Sequence, residues 1–335
     1  MDILQKIKDA NIVGRGGADF PAWRKWETAK DSEGDVKYVI CNASEGELGV
    51  FKDLYILRNH LDKVIKGMRI LMDFLETKES YININKNYYE ELSSEISKAT
   101  SSYKGEEYNF HIYVEHPSYI GGETGTILNS IEGKKPQPRS KRVRTAVSGL
   151  FGKPTIVHNV ETLFDVCSVY DGTFEGKRHS GVFGDGFKEK KIIYHPINWT
   201  LKQVMEEAKM IPDFDFYVHV GGSASGSVFD GDQINDEIMT GVGSIEIFDK
   251  NKRGTLKFLK RLFAFYTKES CGKCAPCREG AYQLNQMIQK VTKESDIDWD
   301  EILRIVEVME RISFCGLGKG IGKPVHTYRK NVLKK

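Results

Sequence analysis

Val36-Lys37-Tyr38-Val39-Ile40-Cys41 decides the fold class of this 335-residue chain. The run is short and mostly β-branched or aromatic, which reads as a strand, and Phe110–Val114 reads the same way. Between them, Leu61–Leu75 carries apolar residues at 61, 64, 65, 68, 71, 72 and 75, the stripe of an amphipathic helix. Alternating strands and helices predict an α/β layer structure, and this texture runs to about residue 170. Lys191–His195, Leu201–Ala208 and Phe214–Val220 then form a strand–helix–strand unit, followed by the loop Gly221-Gly222-Ser223-Ala224-Ser225-Gly226. A unit of that length predicts a small β-grasp-like module. From about 254 the chain turns helical. Leu256, Leu259, Leu262, Phe263 and Tyr266 form one apolar face, and Ile302, Ile305, Val306, Val308, Met309 and Ile312 another. Both are expected to be bundle core. The basic tail from Arg329 to Lys335 is expected to be a solvated end.

The 49 basic residues stand against 47 acidic ones, so no global field directs the protein to nucleic acid or to a membrane surface. The N-terminus has acidic residues and no apolar core of a signal peptide. No apolar run is long enough to span a bilayer. The reading is a soluble protein, cytoplasmic or peripheral to a membrane complex.

Six cysteines carry more information. Cys41 and Cys167 stand alone among apolar neighbours and read as small buried hydrophobes. In Glu269-Ser270-Cys271-Gly272-Lys273-Cys274-Ala275-Pro276-Cys277-Arg278, a C-x₂-C-x₂-C run lets three thiolates converge on one side of a tight loop. Gly272 supplies backbone freedom, Pro276 stiffens the loop, and a helix is expected to start near Arg278. Cys315, at the end of a helix over 299–312, offers a fourth thiolate. Three close cysteines plus a remote one fit a [4Fe–4S] cluster. A Cys₄ zinc site, which more often uses two separate pairs, and unligated thiols are the alternatives. Lys273 and Arg278 would offset the charge of a thiolate-ligated cluster.

With these residues in view, the chain resembles the flavin-binding, 51-kDa-type NADH dehydrogenase subunit of respiratory complex I and its relatives in NAD-linked hydrogenases and electron-bifurcating enzymes. The resemblance runs through Gly14-Arg15-Gly16-Gly17-Ala18-Asp19-Phe20-Pro21, Lys25-Trp26, Cys41-Asn42-Ala43-Ser44-Glu45-Gly46-Glu47 and Phe51-Lys52-Asp53. It continues through Tyr119-Ile120-Gly121-Gly122-Glu123, Gly149–Thr155, Asn159-Val160-Glu161-Thr162 and the cysteine motif. It implies a Rossmann-like α/β domain for FMN and NADH over 1–170, a β-grasp domain over 171–248 and a helical iron–sulfur domain over 249–335. It places Gly14, Arg15, Gly16, Gly17, Asn42, Glu45, Tyr119, Gly122, Glu123 and Asn159 at the flavin. Phe20, Lys25, Glu47 and Lys141 fall where the family meets NADH, with Lys25 and Glu47 in the catalytic role. The implied metal ligands are Cys271, Cys274, Cys277 and Cys315. Hydride would pass between NAD(P)H and FMN, and single electrons through the cluster. No second cysteine set is present to hold a [2Fe–2S] centre. The resemblance therefore implies a small thioredoxin-like [2Fe–2S] subunit and a larger iron–sulfur subunit as partners.

Seven positions depart from the family's pattern: Asp19 and Trp23 replace glycines, Ser44 and Thr124 replace acidic residues, His158 replaces an asparagine, and Thr28 and Arg144 replace aromatics. Two readings fit. Either the site still holds FMN with an altered dinucleotide preference, Arg142 and Arg144 suiting a 2′-phosphate, or it has degenerated and the chain is a cluster-bearing relay or scaffold.

Overall fold

The computed structural model describes residues 2–103, 108–139 and 143–335. The chain divides into two compact units, Met1–Gly46 with Phe51–Arg178, and Glu47–Val50 with His179–Lys335.

In the first unit the order is α1 (Ile3–Asp9), α2 (Ala22–Asp31), β1 (Tyr38–Ala43), α3 (Lys52–Leu75), β2 (Glu79–Asn85), α4 (Lys86–Ser101), β3 (Asn109–Glu115), α5 (Thr124–Ile131), β4 (Thr155–Asn159) and α6 (Val160–Tyr170). The strands pair in the order β3-β2-β1-β4, all parallel. A parallel sheet covered on both faces needs strands that are apolar throughout. Val39, Ile40 and Cys41 of β1 are accordingly buried, as is Cys167 on α6. The expected strand and helix are present, but α3 starts nine residues before the Leu61 stripe. His60 breaks its geometry with φ −145°, which interrupts the periodicity a sequence reading relies on.

The second unit takes up within β5 (Lys177–Gly184) and continues through β6 (Lys191–Pro196), α7 (Leu201–Glu207), β7 (Phe216–Val220), β8 (Ser227–Asp230), β9 (Ser244–Asp249), α8 (Thr255–Glu269), α9 (Ala275–Lys290), α10 (Trp299–Ile312), α11 (Gly316–Gly320) and α12 (Gly322–Thr327). Its mixed sheet runs β6-β5-β9-β7-β8. Helix α7 opens on a capping box between Thr200 and Gln203, a local start signal that matches the predicted boundary.

Three expectations need correction here. Helix α9 begins at Ala275 with Cys274 as its N-cap, not near Arg278, because proline is well tolerated in a first helical turn. On α10, Ile302, Ile305, Val306 and Met309 are buried, but Val308 and Ile312 are 45% and 60% exposed. Val308 falls off the buried stripe, which steps by three and four residues, and Ile312 is the last residue of the helix, at the edge of that stripe. The basic tail is not simply solvated. A π-helical turn spans Tyr328–Val332, Tyr328 is buried, and Asn331 Nδ2 donates to the Val228 carbonyl at 2.7 Å.

Candidate functional site

Strands β1 and β4 are neighbours in the sheet but far apart in sequence, so the strand order reverses between them. In open parallel sheets, ligands bind in the crevice beyond the carboxyl ends of the strands at such a switch point. The residues there are Asn42 and Asn159, paired in register. Asn42 Nδ2 donates to the Gly122 carbonyl at 3.0 Å, and its Oδ1 accepts from Ser44 N at 3.2 Å. Asn159 caps α6 by accepting from Glu161 N at 3.0 Å, so the crevice also receives a helix N-terminus, where an anion is favoured. Tyr119 precedes the turn Ile120–Gly122. Gly46 is needed there for close approach, since a Cβ on it would lie 2.4 Å from Tyr119 Cα. Glu123 caps α5, accepting from Thr126 N at 2.8 Å.

Behind these asparagines lies a buried ionic network. Lys52 Nζ sits 2.5 Å from Asp53, 3.4 Å from Glu161 and 3.1 Å from Asn159 Oδ1, and Asn159 Nδ2 donates to Asp53 at 2.6 Å. Burial lowers the Lys52 pKa, but Asp53, Glu161 and Glu45 outweigh it and the net direction is upward. Glu45 accepts from Asp53 N at 3.2 Å and from Tyr88 OH at 2.9 Å, and burial raises its carboxyl pKa. Arg15 turns inward to Asp165 at 3.2 Å, while its N–H donates to Thr162 Oγ1 at 2.9 Å. The side chains of Arg15 and Glu45 are therefore committed to the protein. A sequence reading gives Lys52 and Asp53 no part in the site, although their motif is visible, because adjacent charges ordinarily signal a solvated turn.

The glycine loop leaves room that the protein does not fill. A Cβ on Gly14 or Gly16 would meet only ordinary contacts at 3.6 Å, from the Phe20 carbonyl and from Asn159 Cβ. Gly17 has φ +99°, and Asp19 has φ +46°. Asp19 thus takes the left-handed conformation that glycine adopts most readily, and aspartate is one of the few other residues that tolerates it. An open glycine turn, a helix N-terminus and polar groups at the switch point suit a phosphate-bearing flavin. The residues present fit FMN.

Beside the loop, a cleft of about 480 Å³ is lined by Phe20, Lys25, Thr28, Thr124 and Arg144 among others. Lys25 Nζ lies 6.0 Å from the centre of the Phe20 ring, and burial lowers its ammonium pKa. Three of the seven departures, Thr28, Thr124 and Arg144, meet in this one cleft. Two others fill polar roles, Ser44 half-buried and His158 buried. Ser44 Oγ bonds Glu115, and Trp26 Nε1 donates to His158 Nε2 at 2.9 Å. Burial holds His158 neutral by pushing its pKa well down. Trp23 carries Lys8 and Arg24 over its ring at 4.9 and 5.1 Å. Lys141 and Arg142 lie outside the described residues.

In the second unit, Glu47 is held by Ser223 Oγ and Ala224 N, each at 2.9 Å. Burial pushes its carboxyl up to about 7, against those hydrogen bonds. The cysteines come from three places: Cys271 in the loop before α9, Cys274 and Cys277 at that helix's start, and Cys315 as the N-cap of α11. Burial pushes the Cys277 thiol up to about 11; a hydrogen bond from Ser270 opposes this, and Cys274, Cys315 and Cys271 add to it. All four sulfurs thus share one electrostatic neighbourhood. Gly272 takes φ +73°, and Arg278 anchors the loop by donating to its carbonyl at 2.9 Å. Among the described residues no three His, Cys, Asp or Glu side chains are grouped to hold a single metal ion. Four cysteine thiols, from the loop before α9, the start of α9 and the N-cap of α11, are the donor set that a [4Fe–4S] cluster takes, and the residues present fit one.

Comparison with known proteins agrees with both halves. Residues 7–168 match the Nuo51 FMN-binding domain, and residues 257–332 match the NADH-ubiquinone oxidoreductase-F iron-sulfur binding region. The NAD-reducing hydrogenase HoxS subunit alpha of Cupriavidus necator is 31% identical across 97% of this chain. The solved NAD⁺-reducing [NiFe]-hydrogenase in its H₂-reduced state superposes with a TM-score of 0.89 at 25% identity over 99% of this chain. The chain spans 58% of the length of the first and 61% of the second. The NADH-quinone oxidoreductase F subunit of Aquifex aeolicus is 30% identical over 96% of this chain and 82% of its own length. The chain belongs to the family of flavin-binding NADH-quinone oxidoreductase F subunits.

Proposed function

We propose that this chain is the flavin- and cluster-bearing subunit of a multi-subunit, cytoplasmic NAD(P)H-linked oxidoreductase. The observation that carries this reading is the switch-point crevice, where Asn42, Asn159, the loop Gly14–Gly17 and Gly122 meet at the ends of β1 and β4. FMN bound there would accept or return a hydride and release electrons singly, and a [4Fe–4S] cluster on Cys271, Cys274, Cys277 and Cys315 would carry them onward. The chain's own residues position and insulate. Asn42 fixes the Gly122 carbonyl, Asn159 is held by Lys52 and Asp53, and the cleft of Phe20 and Lys25 takes the dinucleotide. The proposal gives Lys25 and Glu47 the catalytic role. Each is an ionisable group whose pKa burial has moved toward neutrality, as acid–base roles require.

Electrons leaving one cluster need a further acceptor. The proposed partners are a thioredoxin-like [2Fe–2S] subunit and a larger iron–sulfur subunit. Among the described residues no helix is long and apolar enough to cross a membrane. Anaerobic mixing with NADPH or NADH tests the activity. The visible absorption of the flavin should be lost on mixing with at least one dinucleotide. A brown protein whose spectrum responds to neither would establish the relay reading instead.

A further inference from the structure

The cleft beside the glycine loop has an unbalanced charge. Arg24, Lys25, Arg139 and Arg144 line it, and none of its described lining residues is Asp or Glu. Arg139 is already engaged, donating to Asn129 Oδ1 and the Gly149 carbonyl at 2.8 Å each and pairing with Glu132 at 2.7 Å. Arg24 stacks on Trp23 at 5.1 Å and, like Arg144, meets no carboxylate among the described residues. Two exposed guanidinium groups at one cleft, with no carboxylate among its described lining residues, make a positive site open to an anion. Thr124 puts a neutral hydroxyl in the same wall, at the position where the family motif carries a second glutamate.

Dinucleotide sites distinguish their cofactors at the adenosine ribose. A carboxylate there bonds the free 2′-hydroxyl and repels a phosphate, whereas an arginine accommodates the 2′-phosphate. Arginine's planar fork matches phosphate geometry, and such charge-assisted bonds are the strong ones. Phe20, 37% exposed at the cleft, offers an aromatic face for a base. We infer that this cleft selects NADP(H) over NAD(H), with Arg24 and Arg144 as the 2′-phosphate clamp and Thr124 as the neutral wall that permits it. The inference rests on the proposal that this cleft takes the dinucleotide.

Equilibrium binding to the anaerobically purified full chain separates the two claims. The probes are NADPH, NADH, and the pair 2′,5′-ADP and 5′-AMP. NADPH should bind at least tenfold more tightly than NADH, 2′,5′-ADP should outbind 5′-AMP by a similar factor, and both gaps should narrow with salt. Arg24→Ala and Arg144→Ala should each reduce the NADPH-to-NADH affinity ratio at least fivefold, and Thr124→Glu should reduce it as well. NADH binding as tightly as NADPH would overturn the inference and leave the dinucleotide site standing. An Arg144→Ala ratio equal to that of the native chain would show a solvated basic loop and overturn it too. Failure to bind either dinucleotide would overturn both claims.

Discussion

Changing Cys274 to serine is expected to strip the second unit of most of its iron while the first unit stays folded. A cluster held by four thiolates brings on the order of four iron atoms per chain. Cys274 is 8% exposed and caps α9, so its loss removes a ligand from a position that solvent cannot easily replace. The structural consequence follows from chain connectivity. Cys277 and Cys315 are separated by all but the first residues of α9 and by the whole of α10, and a cluster joining them closes that span. By the loop-closure estimate such a cross-link stabilises by about 4 kcal/mol. Without it, α10 and α11 depend on their packing and on exposed contacts such as His326 with Glu310. Iron and sulfide assays on the anaerobically purified variant, with limited proteolysis to locate loosened helices, give the answer. Full iron content in the variant would mean that Cys274 is not a ligand.

The second large effect is expected at Lys52. Its side chain is 1% exposed and stands among Asp53 and Glu161, themselves at 4% and 0%. Lys52→Met removes the cation and leaves the carboxylates buried without it. Breaking a buried ion pair from one side costs about 3–5 kcal/mol, which for a unit of this size is a melting shift on the order of 10 °C. Asn159 loses a hydrogen-bonding partner in the same change, so flavin retention should fall with stability. The control is Lys66→Ala. Lys66 pairs with Asp171 at 2.6 Å, but both side chains are about a third exposed, and exposed pairs contribute about 0–1 kcal/mol. If Lys52→Met melted no earlier than Lys66→Ala, the network would not be holding the crevice.

How much was legible follows from where information sits in a sequence. Strand β1 and the later turns of α3 declare themselves because burial on a regular element repeats at the element's own period. Strand β5 gives no such signal. Arg178, His179 and Ser180 are buried within it, and Ser180 is satisfied by His195 at 2.9 Å. A strand that buries bonded polar groups has no apolar alternation to read. The cysteine motif and the glycine loop were visible because their chemistry depends on spacing. The roles of Arg15 and Glu45 were not, since only the fold shows that their side chains face inward to Asp165 and Tyr88. The departures Thr28, Thr124 and Arg144 look unrelated along the chain. They acquire a common meaning when the fold brings them to one cleft.

The central claim is that the crevice at the ends of β1 and β4 still holds a flavin. Its most direct measurement is the flavin released on denaturing anaerobically purified protein, identified by chromatography and counted per chain. The account predicts FMN at close to one per chain. A brown preparation that releases none would contradict it and leave a cluster-bearing relay whose hydride chemistry happens elsewhere.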